Sequence, residues 1–271
     1  MSPHNLTAAF KNITTPLAVA CSGGLDSIAL LHAACQAGLR PMALHIDHGI
    51  HPDSAAWAAQ VEATSKTFGV GFACERVIGL SSDMPSLENA ARNARHAALA
   101  RLCEAHGIQT LLLAHHANDQ AETVLLNLLR GSGLSGIGMP ASRVVGATTW
   151  LRPWLRVPRL EIEAYAAHHG LTWIEDPSNR DETLRRNAVR HTLWPVVQAV
   201  EPRALPSLLR FANIASQAAS TEQALAMQCL QQHLKSNHGL DWFAASKGQT
   251  PAVQAALLRA WLGMLGCKAP T

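Results

Sequence analysis

The chain has 271 residues, a net charge of +3 and 48% hydrophobic residues, which suits a sizeable buried core and excludes a disordered chain. No apolar run reaches the roughly 18 residues of a membrane span, and the N-terminus lacks the basic start and apolar stretch of a secretory signal. The six cysteines are scattered without a CxxC pair, so neither a zinc site nor a disulfide frame is expected, and the composition reads as that of a cytoplasmic protein with no membrane partner.

Strand-like runs occur at LAVAC (17–21), MALHID (42–47), FACERVI (72–78) and TLLLAH (110–115), with a fifth at TTWL (148–151). Helical spacing fills 27–38, 54–68, 86–106 and 118–130 between them. This alternation predicts an α/β fold, a parallel doubly wound sheet with helices on both faces. Beyond about residue 158 the strands stop, and helices are predicted at 158–169, 184–199, 204–235 and 251–265. Glu201-Pro202-Arg203 is the expected boundary between a catalytic domain of residues 1–200 and a small C-terminal helical domain of 203–271.

Ligands of such sheets bind beyond the carboxyl ends of the strands. The strand–turn–helix passage LAVACSGGLDSIALL is therefore the first candidate site. Ser22, Gly23 and Gly24 form a turn of small residues, with freedom for positive φ, that aims backbone N–H groups and a helix N-terminus at an anion. No lysine follows the glycines, so this is not a GxxxxGK[ST] loop, and the GxGxxG of 131–136 follows a helix rather than a strand. A pyrophosphate suits the turn better. Backbone amides from Ser22 to Ser27 would cradle it, the hydroxyls of Ser22 and Ser27 would add donors, and Asp26 would hold a Mg²⁺ bridging the phosphates.

Asp119 and Glu122 lie three apart at a helix start and share a face. They can bind an ammonium group or accept a proton, and D-x-x-E is also a helix-capping arrangement. Arg92 and Arg95 share another helix face and can reach phosphate or base. From Thr123 to Leu160 there are five arginines and no lysine or acidic residue, and Arg180, Arg185, Arg186 and Arg190 follow. Arginine without lysine points to forked recognition of phosphate. The histidine groups 45, 48, 51 and 115, 116 lack the HExxH spacing of a zinc protease and read as packed or phosphate-facing.

SGGLDS (22–27) resembles the signature of the PP-loop ATP pyrophosphatases. HIDHGIH (45–51), ARNARH (91–96), HHANDQAETVLLNLLRGSG (115–133), RPWL (152–155), WIEDPSN (173–179) and RRNAVR (185–190) follow in the order of one branch, the tRNA(Ile)-lysidine synthetases. The resemblance implies ATP as substrate with Mg²⁺, free lysine, and a tRNA(Ile) with a CAU anticodon, and it admits a homodimer. ATP activates the oxygen on carbon 2 of the wobble cytidine, and the lysine side-chain amine then displaces AMP. It implies catalytic roles for Asp26, Asp119 and Glu122. It implies ATP contacts from Ser22, Gly23, Gly24, Leu25, Asp26, Ser27, His45, Ile46, Asp47, Arg130 and Gly131. It implies substrate or tRNA contacts from Arg92, Arg95, His115, Asn118, Asp176, Asn179, Arg186 and Arg190. Two positions depart from the family: His96 stands where a tyrosine is usual, and Ala188 where a basic residue is common. Longer members continue through more of a helical substrate-binding domain and a further C-terminal domain.

A thiolase of the same fold would need a cysteine pair or iron–sulfur ligands, and none is suitably spaced. A small-molecule amidating enzyme would need an ammonia source. A non-catalytic RNA-binding module would need neither SGGLDS nor HHANDQAET.

Overall fold

The computed structural model describes residues 3–11, 13, 15–79, 87–236 and 239–267. Six strands form one sheet: β1 Leu17–Ala20, β2 Met42–Asp47, β3 Phe72–Arg76, β4 Thr110–Leu112, β5 Ser142–Val145 and β6 Thr148–Leu151, in the order β3-β2-β1-β4-β6-β5. Every pairing is parallel except β5 with β6. That antiparallel edge strand lies outside the sequence expectation. The tight hairpin turns through Gly146 at φ +59, and SRVV alternates exposed and half-buried positions rather than reading as a buried run.

The helices are α1 Leu25–Gln36, α2 Ser54–Thr67, α3 Leu87–Ala105, α4 Ala117–Leu129, α5 Arg159–His168, α6 Arg185–Ala188, α7 Trp194–Val200, α8 Ala204–His233, α9 Trp242–Ser246 and α10 Pro251–Met264. The single helix expected over 184–199 is interrupted by a π-helical segment, Val189–Leu193. Period-two alternation along the central strands feeds both faces of the sheet. Leu17, Val19 and Leu112 pack with α1 residues Ile28 to Ala34 and with Ile162 and Tyr165 of α5. Ala18, Leu111 and Leu113 pack on the other face with Ala98, Leu99 and Cys103 of α3.

Two compact units emerge, residues 1–126 with 139–209 and residues 127–138 with 210–271. The division thus falls within α8, later than Glu201-Pro202-Arg203, because α8 runs unbroken from Ala204. The second unit has its own core of Ala226, Cys229, Leu230, Ala245, Val253, Ala256 and Leu257. In the first unit, β1 and β4 are neighbours whose chains leave toward opposite edges of the sheet. This is the switch point where an open α/β sheet leaves a crevice beyond its strand ends.

Candidate active site

The turn after β1 is shaped by close approach. Gly23 has φ +91, and a Cβ there would collide with Ile174 Cδ1 and meet Val61 Cγ2 at 3.0 Å. Its carbonyl accepts from the Ile174 N–H at 2.9 Å, pinning the turn to the WIEDPSN segment. The Ser27 hydroxyl donates to Gly24 O at 2.9 Å and accepts from the Gly23 N–H at 3.2 Å. Ser27 therefore braces the turn from within. Ser22 Oγ lies 3.2 Å from Ser27 Oγ and accepts from the Gly24 N–H at 3.4 Å. Leu25 and Asp26 open α1 immediately after.

Asp26 faces the loop that follows β4. Its Oδ1 is buried without a hydrogen-bond partner and lies 3.7 Å from His116 Nε2. Burial raises the Asp26 carboxyl pKa, with His116 and Arg159 pulling the other way. His116, 1% exposed, precedes α4 and caps it: Asp119 N–H donates to His116 Nδ1 at 3.3 Å, and His116 N–H donates to Asp119 Oδ2 at 3.0 Å. The cap thus pairs His116 with Asp119, whereas the sequence pattern had suggested Asp119 with Glu122.

Asp119 and Glu122 share the face expected of them and meet two arginines there. Arg186 donates from Nη2 to Asp119 Oδ1 at 2.8 Å and from Nε to Glu122 Oε2 at 3.1 Å. Arg190 donates from Nε to Glu122 Oε1 at 2.7 Å and from Nη2 to Glu122 Oε2 at 3.0 Å and Asp119 Oδ1 at 3.2 Å. Burial would raise the Asp119 pKa, but His116, Arg186, His115 and the His116 N–H outweigh it and hold the carboxyl at about 2. Arg186 and Arg190 were expected on a tRNA-facing surface. They are instead committed to these carboxylates, with side chains only 29% and 23% exposed.

Several other expected ligands brace the frame. The Arg159 N–H donates to Asn118 Oδ1 at 3.0 Å, so Asn118 caps α5. His45, 5% exposed at the end of β2, has Nδ1 at 2.8 Å from Cys21 O, and burial lowers its pKa. Asp47 Oδ1 accepts from the Gly49 N–H at 2.7 Å, while Ile46 is buried in β2. Asp176 Oδ1 accepts from the Ser178 N–H at 2.8 Å, opening the helical turn Pro177–Arg180 that contains Asn179. His115 beside the α4 cap is half-buried, and burial pushes its pKa down to about 3. Arg92 and Arg95 lie on α3, exposed.

Arg130 and Gly131 fall in the second unit. Gly131, at φ +71, ends α4: its N–H donates to Leu128 O at 3.0 Å and the Ser132 N–H donates to Asn127 O at 2.9 Å. RGSG is thus a helix stop of the Schellman type, with Arg130 exposed before it.

Sequence reasoning missed two braces. Gln120 clamps Met139 with both amide groups, donating to its carbonyl at 3.0 Å and accepting from its N–H at 2.8 Å. Asn187 donates to Ser178 O at 3.0 Å and Asp181 O at 2.9 Å, tying α6 to the DPSN turn. An amide in a helix gives no period signal, so only the RRNAVR motif hinted at Asn187. Among the described residues no group of three or more histidine, cysteine or acidic side chains is arranged to hold a metal.

Residues 3–197, which hold the loops after β1 and β4, match one family model, the PP-loop domain. The chain belongs to that family. Among curated relatives of this PP-loop chain, the tRNA(Ile)-lysidine synthase of Ralstonia nicotianae is 42% identical over 266 residues, 93% of this chain and 55% of the relative. That of Alkalilimnicola ehrlichii is 42% identical over 259 residues, 93% and 57%, and that of Chromobacterium violaceum 38% over 260 residues, 93% and 58%. The chain spans just over half the length of these relatives. Among solved structures, a U34-tRNA thiolase from Methanococcus maripaludis superposes with a TM-score of 0.63, 15% identity and coverage of 79% of this chain and 78% of that one. That likeness concerns the PP-loop fold alone.

Proposed function

We propose that this PP-loop chain carries out ATP-dependent ligation of free lysine to carbon 2 of the wobble cytidine in the CAU anticodon of tRNA(Ile). One observation carries the reading. Asp26, at the start of α1 behind the turn after β1, and His116 of the cap after β4 meet at 3.7 Å, in a chain 42% identical to curated tRNA(Ile)-lysidine synthases. The oxygen on carbon 2 attacks the α-phosphorus of ATP, the α–β anhydride bond breaks, and pyrophosphate leaves. The lysine side-chain amine then bonds to carbon 2 as the carbon–oxygen bond breaks, releasing AMP and a proton.

The turn's role is to seat the phosphates against the start of α1, with Gly23 letting the backbone approach and Ser27 holding its shape. The unpartnered, buried Oδ1 of Asp26 fits a hard divalent cation. Asp26 would hold Mg²⁺, which supplies charge neutralisation for the phosphates when bound. Asp119, held at about 2, is a weak proton acceptor near neutrality. It serves better as a fixed negative charge that, with Glu122, holds Arg186 and Arg190 beside the α4 cap. Thiol chemistry of the thiolase kind finds no support at the turn, because burial pushes the Cys21 thiol up to about 11. The cytoplasm is the proposed location.

The test is turnover of ATP with a tRNA(Ile) transcript and lysine. With RNA but no lysine, pyrophosphate should form at most once per RNA and no AMP should be released; sustained AMP and pyrophosphate formation should need both, and the RNA should gain the mass of lysine less water. AMP release that ignores lysine, or an RNA product carrying sulfur, would overturn the reading.

A further inference from the structure

Beyond β6, on the side of β4 away from β1, lies a group of like charges that the chemistry above does not use. Arg152 directly follows β6, at the strand end where ligands of such sheets bind. It is 5% exposed; Nη1 donates to Pro140 O at 2.9 Å, and Nε is buried without a partner. The charges acting on it are Arg143 and Arg92, both of like sign, and after burial they help lower its pKa to about 10. Arg143 lies on β5 opposite Trp150, its guanidinium carbon 4.9 Å from the indole centroid. Its Nε is also buried without a partner, and Nη2 lies 3.4 Å from His96 Nδ1. Burial, then Arg143, Arg95, Arg92 and Arg152, push His96 down to about 4, so the ring is neutral near pH 7 and accepts from Arg143.

Among the described residues no carboxylate forms an ion pair with Arg143 or Arg152. Buried charges are ordinarily paired, because an uncompensated ion loses its hydration without return. Two guanidinium groups, each with a buried Nε that makes no hydrogen bond, thus stand at one strand end with donors free for an anion. Arginine forks match phosphate oxygens. The loop after β1 is two strands away, about 10 Å across the sheet, so this is a separate place. A wobble base splayed into the β1–β4 crevice brings its flanking phosphates with it.

The geometry points to a second anion subsite, formed by Arg143 and Arg152 with His96 beside them, that takes a phosphodiester of the RNA next to the reacting base. It rests on the RNA-modifying reading above for the identity of the anion. The neutral imidazole of His96 gives Arg143 a nitrogen acceptor that orients its fork.

The test compares wild type with Arg143→Gln and Arg143→Lys, using a CAU anticodon stem-loop RNA across a potassium chloride series and ATP calorimetry. Arg152→Gln is a companion variant, whose folding is checked by circular dichroism because its side chain is buried. Arg143→Gln should weaken RNA binding and reduce the log–log salt slope by about 0.7–0.9, one phosphate's worth. Arg143→Lys should restore the slope but not the full affinity, and ATP affinity should hold in all. An unchanged slope in folded Arg143→Gln would overturn the subsite. So would a parallel loss of ATP affinity, which would assign the arginines to the nucleotide. If wild type forms no lysidine yet the slope moves, the subsite stands and the lysidine reading falls. If lysidine forms and the slope is unmoved, the reverse holds.

Discussion

His116 and Asp119 close the first turn of α4 on each other, the His116 N–H donating to Asp119 Oδ2 at 3.0 Å and the Asp119 N–H to His116 Nδ1 at 3.3 Å. Because Nδ1 accepts, a neutral His116 carries its proton on Nε2, the nitrogen that faces Asp26 Oδ1 at 3.7 Å. A helix cap thereby sets the tautomer of the group that links the loops after β1 and β4.

Asp119 has a distinct acid signature. Its folded pKa of about 2 lies below the ordinary 3.8, so its charge contributes stability that is present above 3.8 and lost as pH falls toward 2. The gap corresponds to about 2 kcal/mol. Asp119→Asn keeps an oxygen to accept from the His116 N–H but removes the charge. Urea midpoints measured from pH 5 to pH 2 should fall less steeply for the variant than for wild type. Parallel curves would show that Asp119 does not titrate in this way.

Gly23→Ala should destabilise the chain by about 3 kcal/mol, combining the positive-φ penalty with overpacking. The added methyl collides with Ile174 Cδ1, so Ile174→Ala in the same chain should recover the packing part and leave the backbone part. Urea midpoints of the two single variants and the double variant separate these effects. Strict additivity would mean that the turn yields without meeting Ile174.

Asp26→Asn should separate stability from activity. Burial already disfavours the charged form of Asp26, and Oδ1 makes no hydrogen bond, so the isosteric amide should leave the melting temperature unchanged or slightly raised. ATP-dependent pyrophosphate release should nevertheless drop by about 10²-fold, the scale seen when one charge-stabilising group is lost. Near-wild-type release would remove Asp26 from the phosphate machinery.

Three of the five strands expected from sequence, β1, β2 and β4, were legible because they are buried almost throughout and so read as continuous apolar runs. Strand β5 was not, since SRVV becomes a strand only by pairing with β6. The π-helical turn at Val189–Leu193 was equally hidden, for the sequence there keeps ordinary helical spacing. Asp119 and Glu122 could be placed on one helix face from spacing alone. Their partners could not, because Arg186 and Arg190 lie 64 to 71 residues away along the chain and reach them only through the tertiary fold. Charge density marked those arginines as phosphate contacts, but sequence does not show whether a carboxylate has already claimed a guanidinium.

That difference decides the last expectation. Arg186 and Arg190 each contact both Asp119 and Glu122, so two positive charges face two negative ones in a largely buried network. Removing one member strands a buried charge. Arg190→Ala and Glu122→Ala should therefore each cost about 3 kcal/mol. The double variant should cost less than their sum by about 1–2 kcal/mol, because the second substitution removes the group that the first left unpaired. The salt slope of RNA binding should behave differently from that of an arginine lacking a carboxylate. A guanidinium already neutralised within the protein releases few counterions from RNA, so Arg190→Ala should change the slope by well under the roughly 0.7–0.9 of one phosphate contact. Urea titrations give the coupling energy and a potassium chloride series gives the slope. A slope lowered by a full phosphate contact, with stability kept, would show that Arg190 leaves Glu122 to meet the RNA.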